Sequence, residues 1–158
     1  MTDPPSDLVL DASVAIKWYV PEVHTPGALR VLASTSTFHV PSFFSAECGN
    51  TIWKKVGQRK ELSPDTGAAI LDALFAFPRQ IHDAESLTGL AFSIALGLTN
   101  PKLTLYDFIY LALAVALDCP LVTADRPFYD AIASSRYRRF IIWVNDPLES
   151  DVLPDRAE

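Results

Sequence analysis

Little in this chain lends itself to cross-linking or to crossing a membrane. Two cysteines in 158 residues, Cys48 and Cys119, supply no disulfide framework. Both read as small buried hydrophobes suited to a reducing compartment. No apolar run reaches the length of a bilayer span, and the opening MTDPPSD is acidic and proline-containing, unlike a secretory leader. These absences predict a cytoplasmic protein that does not enter the membrane. The three histidines, His24, His39 and His82, are isolated and lack the paired spacing of a zinc site. With no internal repeat, low-complexity segment or linker, the length predicts one domain with a sizeable core.

The net charge is −6, which by itself argues against a nucleic-acid partner. Placement changes that. Asp146 to Glu158 forms an acidic tail with five acids and one base. If Asp11, Glu47, Asp107 and Asp125 form one metal site, bound cations would largely offset their charge. Setting aside −4 from the tail and −4 from these acids leaves +2 for the remaining body. Its bases cluster as Lys54, Lys55, Arg59, Lys60 and as Arg136, Arg138, Arg139. Both clusters are compatible with phosphate contacts and also with solvated helix faces.

The rest of the sequence is organised around Thr104 to Asp125. Between Leu103 and Leu117 the only ionisable groups are Asp107 and two tyrosines, so a helix here is apolar all round and buried. Asp118-Cys119-Pro120 breaks it, and Leu121-Val122-Thr123 reads as an interior strand ending before Asp125. Thr104-x-x-Asp107 also fits a capping box, and Asp125 a turn ahead of Arg126-Pro127. Taken singly, each acid therefore has a structural reading beside the functional one.

Upstream, Leu8 to Leu10 is a short apolar strand leading into Asp11, followed by a helix over Val14 to Tyr19. The pattern continues with a helix over Pro26 to Ala33, a strand over Phe38 to Val40 and a helix over Phe43 to Val56. On that last helix the three-and-four spacing groups Glu47, Asn50 and Lys54 on one face. Ser63-Pro64 starts a further helix that runs to about Phe77. Gln80 to His82 is a brief strand, and Ala84 to Leu96 a helix closed by Gly97. Beyond Asp125 come a helix over Pro127 to Ser134 and a strand over Phe140 to Val144. Strands alternating with helices predict an α/β/α sandwich around a mainly parallel sheet, with ligands beyond the carboxyl ends of the strands.

Carboxylates crowded at such an edge cannot all ionise cheaply without a cation among them. Oxygen-only ligation suits magnesium, with manganese able to substitute. A carboxylate-held ion of this kind favours phosphodiester hydrolysis. Ser13, Asn50 and Thr123 could orient the acids or metal waters, and each also fits a cap or turn hydrogen bond. Lys54 and Arg126 are candidate phosphate contacts.

Four pieces together carry a family resemblance: Asp11-Ala-Ser13 after a strand, Glu47-Cys-Gly-Asn50 on a helix, Tyr106-Asp-Phe-Ile-Tyr-Leu-Ala-Leu-Ala114, and Leu121-Val-Thr-Ala-Asp125. In this order and spacing the chain resembles a PIN-domain ribonuclease, and within that group the VapC toxin type, from about Leu8 to Val144. The resemblance implies a magnesium-dependent endoribonuclease acting on single-stranded or loop RNA, with Asp11, Glu47, Asp107 and Asp125 as catalytic metal ligands. It implies a nuclease domain over residues 8–145, between a disordered or extended N-terminus (1–7) and the acidic tail (146–158). It also implies a cognate antitoxin and a homodimer. Some relatives carry a further acid or amide just after the last aspartate, where Arg126 and Pro127 stand here. Phe43, Phe44, Ile52, Trp53, Ile70, Leu71, Leu74, Phe75 and Phe77 exceed what one face of each of two helices buries, which predicts a partner groove there.

Two other readings compete. Asp11-Ala-Ser13-Val-Ala15 approaches the D-x-S-x-S cation site of von Willebrand A-like adhesion domains, a metal-dependent binding module without hydrolytic activity. A phosphatase-like aspartate nucleophile needs D-x-D, and Ser13 stands where the second aspartate belongs.

Overall fold

A computed structural model describes residues 3–149. The first two residues, and positions 150–158 of the acidic tail, lie outside the described residues. Five parallel strands form one sheet in the order β3-β2-β1-β4-β5. They are β1 (Asp7–Leu10), β2 (Thr37–Pro41), β3 (Gln80–His82), β4 (Leu121–Thr123) and β5 (Ile141–Trp143). Parallel neighbours require crossovers, and helices cover both faces of the sheet. The fold is the expected α/β/α sandwich.

The chain builds outward from β1 through β2 to β3, then returns to place β4 on the other side of β1. Strand order therefore reverses between β1 and β4, and a crevice opens beyond their carboxyl ends. Val9 aligns with Leu121 and Leu10 with Val122, so the two strands end side by side. Leu8, Val9, Leu10, Leu121 and Val122 are fully buried. Continuous apolar runs of this kind belong to strands covered on both faces.

The helices are α1 (Ala12–Ala15, continued by a 3₁₀ turn at Ile16–Trp18), α2 (Thr25–Leu32), α3 (Phe44–Trp53), α4 (Pro64–Ala76), α5 (Ala84–Leu98), α6 (Leu105–Leu117) and α7 (Arg126–Ala133). Helix α6 packs across β2, β1 and β4, with α5 against it. Its residues Phe108 to Ala114 are all buried, as an unstriped apolar helix requires. Asp118 ends α6 in the left-handed region (φ 51°).

One helix end differs from expectation. Helix α5 passes through Gly97 and stops at Thr99, in the left-handed region (φ 50°). A Cβ at position 97 would stand 3.3 Å from the Arg136 guanidinium, so the glycine serves a close approach rather than a stop. Helix α3 runs on into a wider π turn at Lys54–Gln58, so the helical stretch closes within two residues of the expected Val56. That turn decides which basic side chain faces the crevice.

Candidate active site

Asp11 follows β1 directly and occupies the capping position of α1, yet its side chain makes no cap bond. Its Oδ2 instead accepts from Ser13 Oγ at 2.7 Å and from Thr123 Oγ1 at 2.6 Å. Ser13 and Thr123 are also anchored, because their hydroxyl oxygens accept the backbone N–H of Ala124 and Asp125, each at 3.0 Å. The ends of β1 and β4 are thereby tied together around one buried carboxylate.

The other three acids are held by simple local chemistry. Asp107 Oδ2, in the first turn of α6, accepts the Thr104 backbone N–H at 2.8 Å and the Thr104 hydroxyl at 3.2 Å. Asp125 caps α7, with Oδ1 accepting from Phe128 N at 3.1 Å. Glu47, on α3, receives the Tyr110 hydroxyl on Oε1 at 3.0 Å. The capping reading of Asp107 is therefore correct as far as it goes, and Asp125, read as a turn residue, is instead the cap of α7. Each acid commits one oxygen to a positioning bond, and its second oxygen has no hydrogen-bond partner among the described residues.

All four line one opening of about 380 Å³. Burial pushes Asp11 up to about 6, partly opposed by Ser13 and Thr123, with the charges of Asp107 and Asp125 raising it further. Glu47 is pushed up to about 7, first by burial and then by the neighbouring Asp11 charge, against the hydrogen bond from Tyr110. Asp107 is raised as well, mainly by burial. Burial first, and the acids' mutual repulsion after it, thus hold three carboxyls on one wall above their ordinary range, which disfavours their charged forms until a cation joins them.

That chemistry fits a hard divalent cation. Among the described residues no group of three or more His, Cys, Asp or Glu side chains is placed to hold a metal ion. Magnesium does not require one, since it keeps waters and uses one or two carboxylates together with substrate oxygens.

The supporting residues divide. Ser13 and Thr123 lie against Asp11, whereas Asn50 and Lys54 are exposed and line none of the opening. The face of α3 toward the site follows Glu47, Thr51 and Lys55, a spacing of four carried on by the π turn, so Lys55 replaces Lys54 there. Arg126 also stays outside the wall, pairing with Asp130 at 3.0 Å and lying over the rings of Tyr129 and Trp143. Lys17 and Glu22 belong to no motif, and Tyr110 stands inside the Tyr106 to Ala114 stretch without a role assigned to it. Only Tyr110 had a signal, a hydroxyl inside an apolar helix that must find a partner.

The adhesion-domain reading fails locally. Ala15 is fully buried where the last serine would be, and the Ser13 proton is committed to Asp11. Cys48 and Cys119 are buried free thiols, each pushed up to about 12 by burial. The histidines lie elsewhere. His39 contacts His82 at 2.9 Å and Asp7 at 2.8 Å, and His24 contacts Asn145 at 2.7 Å.

Comparison with known proteins bears on the family and the fold. The PIN domain family model matches residues 8–133. Ribonuclease VapC3 of Pyrobaculum aerophilum is 31% identical over 121 residues, covering 75% of this chain and 89% of that protein. Among solved structures, Mycobacterium tuberculosis VapC20, described as a sarcin-ricin loop cleaving toxin, gives a TM-score of 0.61 at 13% identity, over 79% of this chain and 95% of that one. VapBC2 from Rickettsia felis, bound to a DNA fragment from their promoter, gives 0.56 at 16% identity, over 86% and 97%. At these identities the two structures speak for the fold alone.

Proposed function

The chain belongs to the PIN domain family, and from that premise we propose that it is a divalent-metal-dependent endoribonuclease of the VapC toxin type, cutting single-stranded or loop RNA. The observation that carries the reading is the set of four carboxylates on one opening, each with an uncommitted oxygen. Asp11, Glu47, Asp107 and Asp125 would hold magnesium, or manganese in its place. When bound, the ion supplies Lewis-acid polarisation of the phosphodiester and an activated water.

The chain's own groups favour hydrolysis without a covalent enzyme intermediate. Ser13 Oγ donates to Asp11, and the Cys48 thiol is buried and protonated, so neither is a ready nucleophile. None of the three histidines lines the opening, which leaves metal-free cleavage by a histidine base without its residue. Ser13, Thr123 and Tyr110 orient carboxylates. Unpaired RNA suits a compact crevice because its backbone can be splayed, whereas a duplex is bulkier.

A toxin of this type needs restraint, and the reading assigns that to a cognate antitoxin. Among the described residues no helix is long and apolar enough to cross a membrane, and a cytoplasmic site of action accords with the RNA substrate. The same reading includes a homodimer.

Incubation of the purified full chain with single-stranded RNA and magnesium or manganese tests the core of it. Cleavage should stop with excess EDTA and in Asp11→Asn. Cutting that persists under EDTA would overturn the metal-dependent reading.

A further inference from the structure

The opening that carries the four acids has a second wall of opposite sign. Lys17, on the 3₁₀ turn after α1, donates to Glu22 Oε2 at 2.8 Å. Lys55, on the π turn after α3, donates to Glu22 Oε1 at 2.5 Å and to Glu61 at 3.2 Å. Arg59 completes the wall, 3.9 Å from Glu61. One carboxylate thus spaces two ammonium groups that arrive from different elements.

Both lysine side chains are largely covered, at 13% and 8% exposure. Ordering such long stems carries an entropic cost, and covering their charges a desolvation cost, so the arrangement calls for a compensating role. Counting donors shows what remains available. An ammonium has three N–H groups; Lys17 commits one and Lys55 two, and the Arg59 side chain is 61% exposed. Three cations face two carboxylates, Glu22 and Glu61, leaving an excess of one positive charge beside the acid wall.

Glu22 also governs where those cations rest. Glu47 and Asp11 share the opening with Lys17 and Lys55. Without Glu22, the ammonium groups would be drawn to the acid wall and would neutralise it. Held back, they keep free donors for an incoming anion. An RNA strand brings several phosphates, of which only one reacts, and its neighbour needs a cationic seat in a crevice that also carries five carboxylates.

We propose that Lys17 and Lys55, spaced by Glu22 and joined by Arg59, seat an RNA phosphate next to the one being cleaved. This rests on the ribonuclease reading and adds the strand's second point of attachment. Lys17, Lys55 and Arg59 touch substrate, and Glu22 is a positioning residue.

Steady-state cleavage of a short mixed-sequence single-stranded RNA by the full chain, across a series of salt concentrations, tests it. Lys17→Gln should raise KM about tenfold, the loss of roughly one charge-assisted hydrogen bond, with kcat little changed. The salt dependence of log KM should become shallower by about 0.7, and Lys17→Arg should restore both. If Lys17→Gln lowers the melting temperature, exposed Arg59→Gln carries the same expectations. Wild-type KM and salt slope in both glutamine variants would overturn the seat and leave the nuclease reading standing. A wild-type chain that cuts no RNA with magnesium or manganese would overturn the nuclease reading itself, and the seat with it.

Discussion

Thr123, the last residue of β4, donates its hydroxyl to Asp11 at 2.6 Å while accepting the backbone N–H of Asp125 at 3.0 Å. One fully buried side chain therefore fixes two of the four acids, on either side of the point where strand order reverses. Thr123→Val keeps the shape and removes both bonds, leaving the Asp125 N–H unpaired and Asp11 with one donor. Chemical denaturation should show a loss of about 1–3 kcal/mol. Cleavage near neutral pH should fall about tenfold or more, since Asp11 becomes harder to ionise. A variant equal to wild type in both respects would remove Thr123 from the site.

The raised acids also make stability depend on pH in an unusual direction. Asp11 at about 6 and Glu47 at about 7 stand above their ordinary values of 3.8 and 4.5. Between those limits the folded chain binds more protons than the unfolded one, so stability falls as pH rises and the cost is complete above the folded values. For buried Asp11 it is on the order of 3 kcal/mol; half-buried Glu47 adds less, because solvent screens it. His82, lowered mainly by burial, works in the opposite sense below its ordinary 6.5. In EDTA the wild type should melt higher near pH 5 than near pH 8, and this difference should shrink in Asp11→Asn or with manganese. Equal pH responses of wild type and Asp11→Asn in EDTA would contradict the charge argument.

The sheet and the acids were legible because both are encoded locally. Leu8 to Leu10 and Leu121 to Thr123 are short apolar runs between breakers, and three of the acids sit at strand ends or helix starts. What escaped depends on tertiary approach. Spacing alone allows both Lys54 and Lys55 to share a side of α3 with Glu47, and the π turn settles the choice. Gly97 resembles a helix stop until Arg136 is seen against it. Lys17 and Glu22 meet from a turn and a loop that carry no periodic signal. The expected apolar surplus on α3 and α4 is mostly absorbed. Phe44 and Phe77 join Trp18 and Phe38 in one aromatic cluster, with Phe77 5.0 Å from Trp18 and 6.0 Å from Phe44 between ring centres.

Tyr110→Phe isolates the positioning of Glu47. Its hydroxyl supplies the hydrogen bond to Glu47 Oε1, which opposes the rise caused by burial and the Asp11 charge. Without that donor Glu47 should rise further, and the acid limb of the pH–rate profile for kcat/KM should move upward by roughly one unit. Stability should change little, because Glu47 lines the opening and is only partly buried. An unmoved acid limb would show that the bond does not tune the site.

Trp53→Asp tests the antitoxin expectation on the surface that the fold leaves available. Of the large apolar groups on α3 and α4, Ile52, Ile70 and Leu74 are buried, whereas Trp53 and Phe75 remain 59% and 47% exposed. Helices α3 and α4 pack on one another, and α3 also carries Glu47, so a partner bound at this face would lie near the site it restrains. An exposed tryptophan is a strong candidate for the anchor of such an interface, where its loss weakens binding about thirtyfold or more. Trp53 lines none of the acidic opening, so Trp53→Asp should cleave RNA as wild type does when alone. Co-expressed with the antitoxin expected to be encoded beside its gene, it should no longer co-purify, and suppression of cleavage should be lost with the association. Size-exclusion of the chain alone separates the alternative, because a homodimer anchored here would dissociate in the variant without any antitoxin present. Undiminished co-purification and suppression would place the antitoxin on another face.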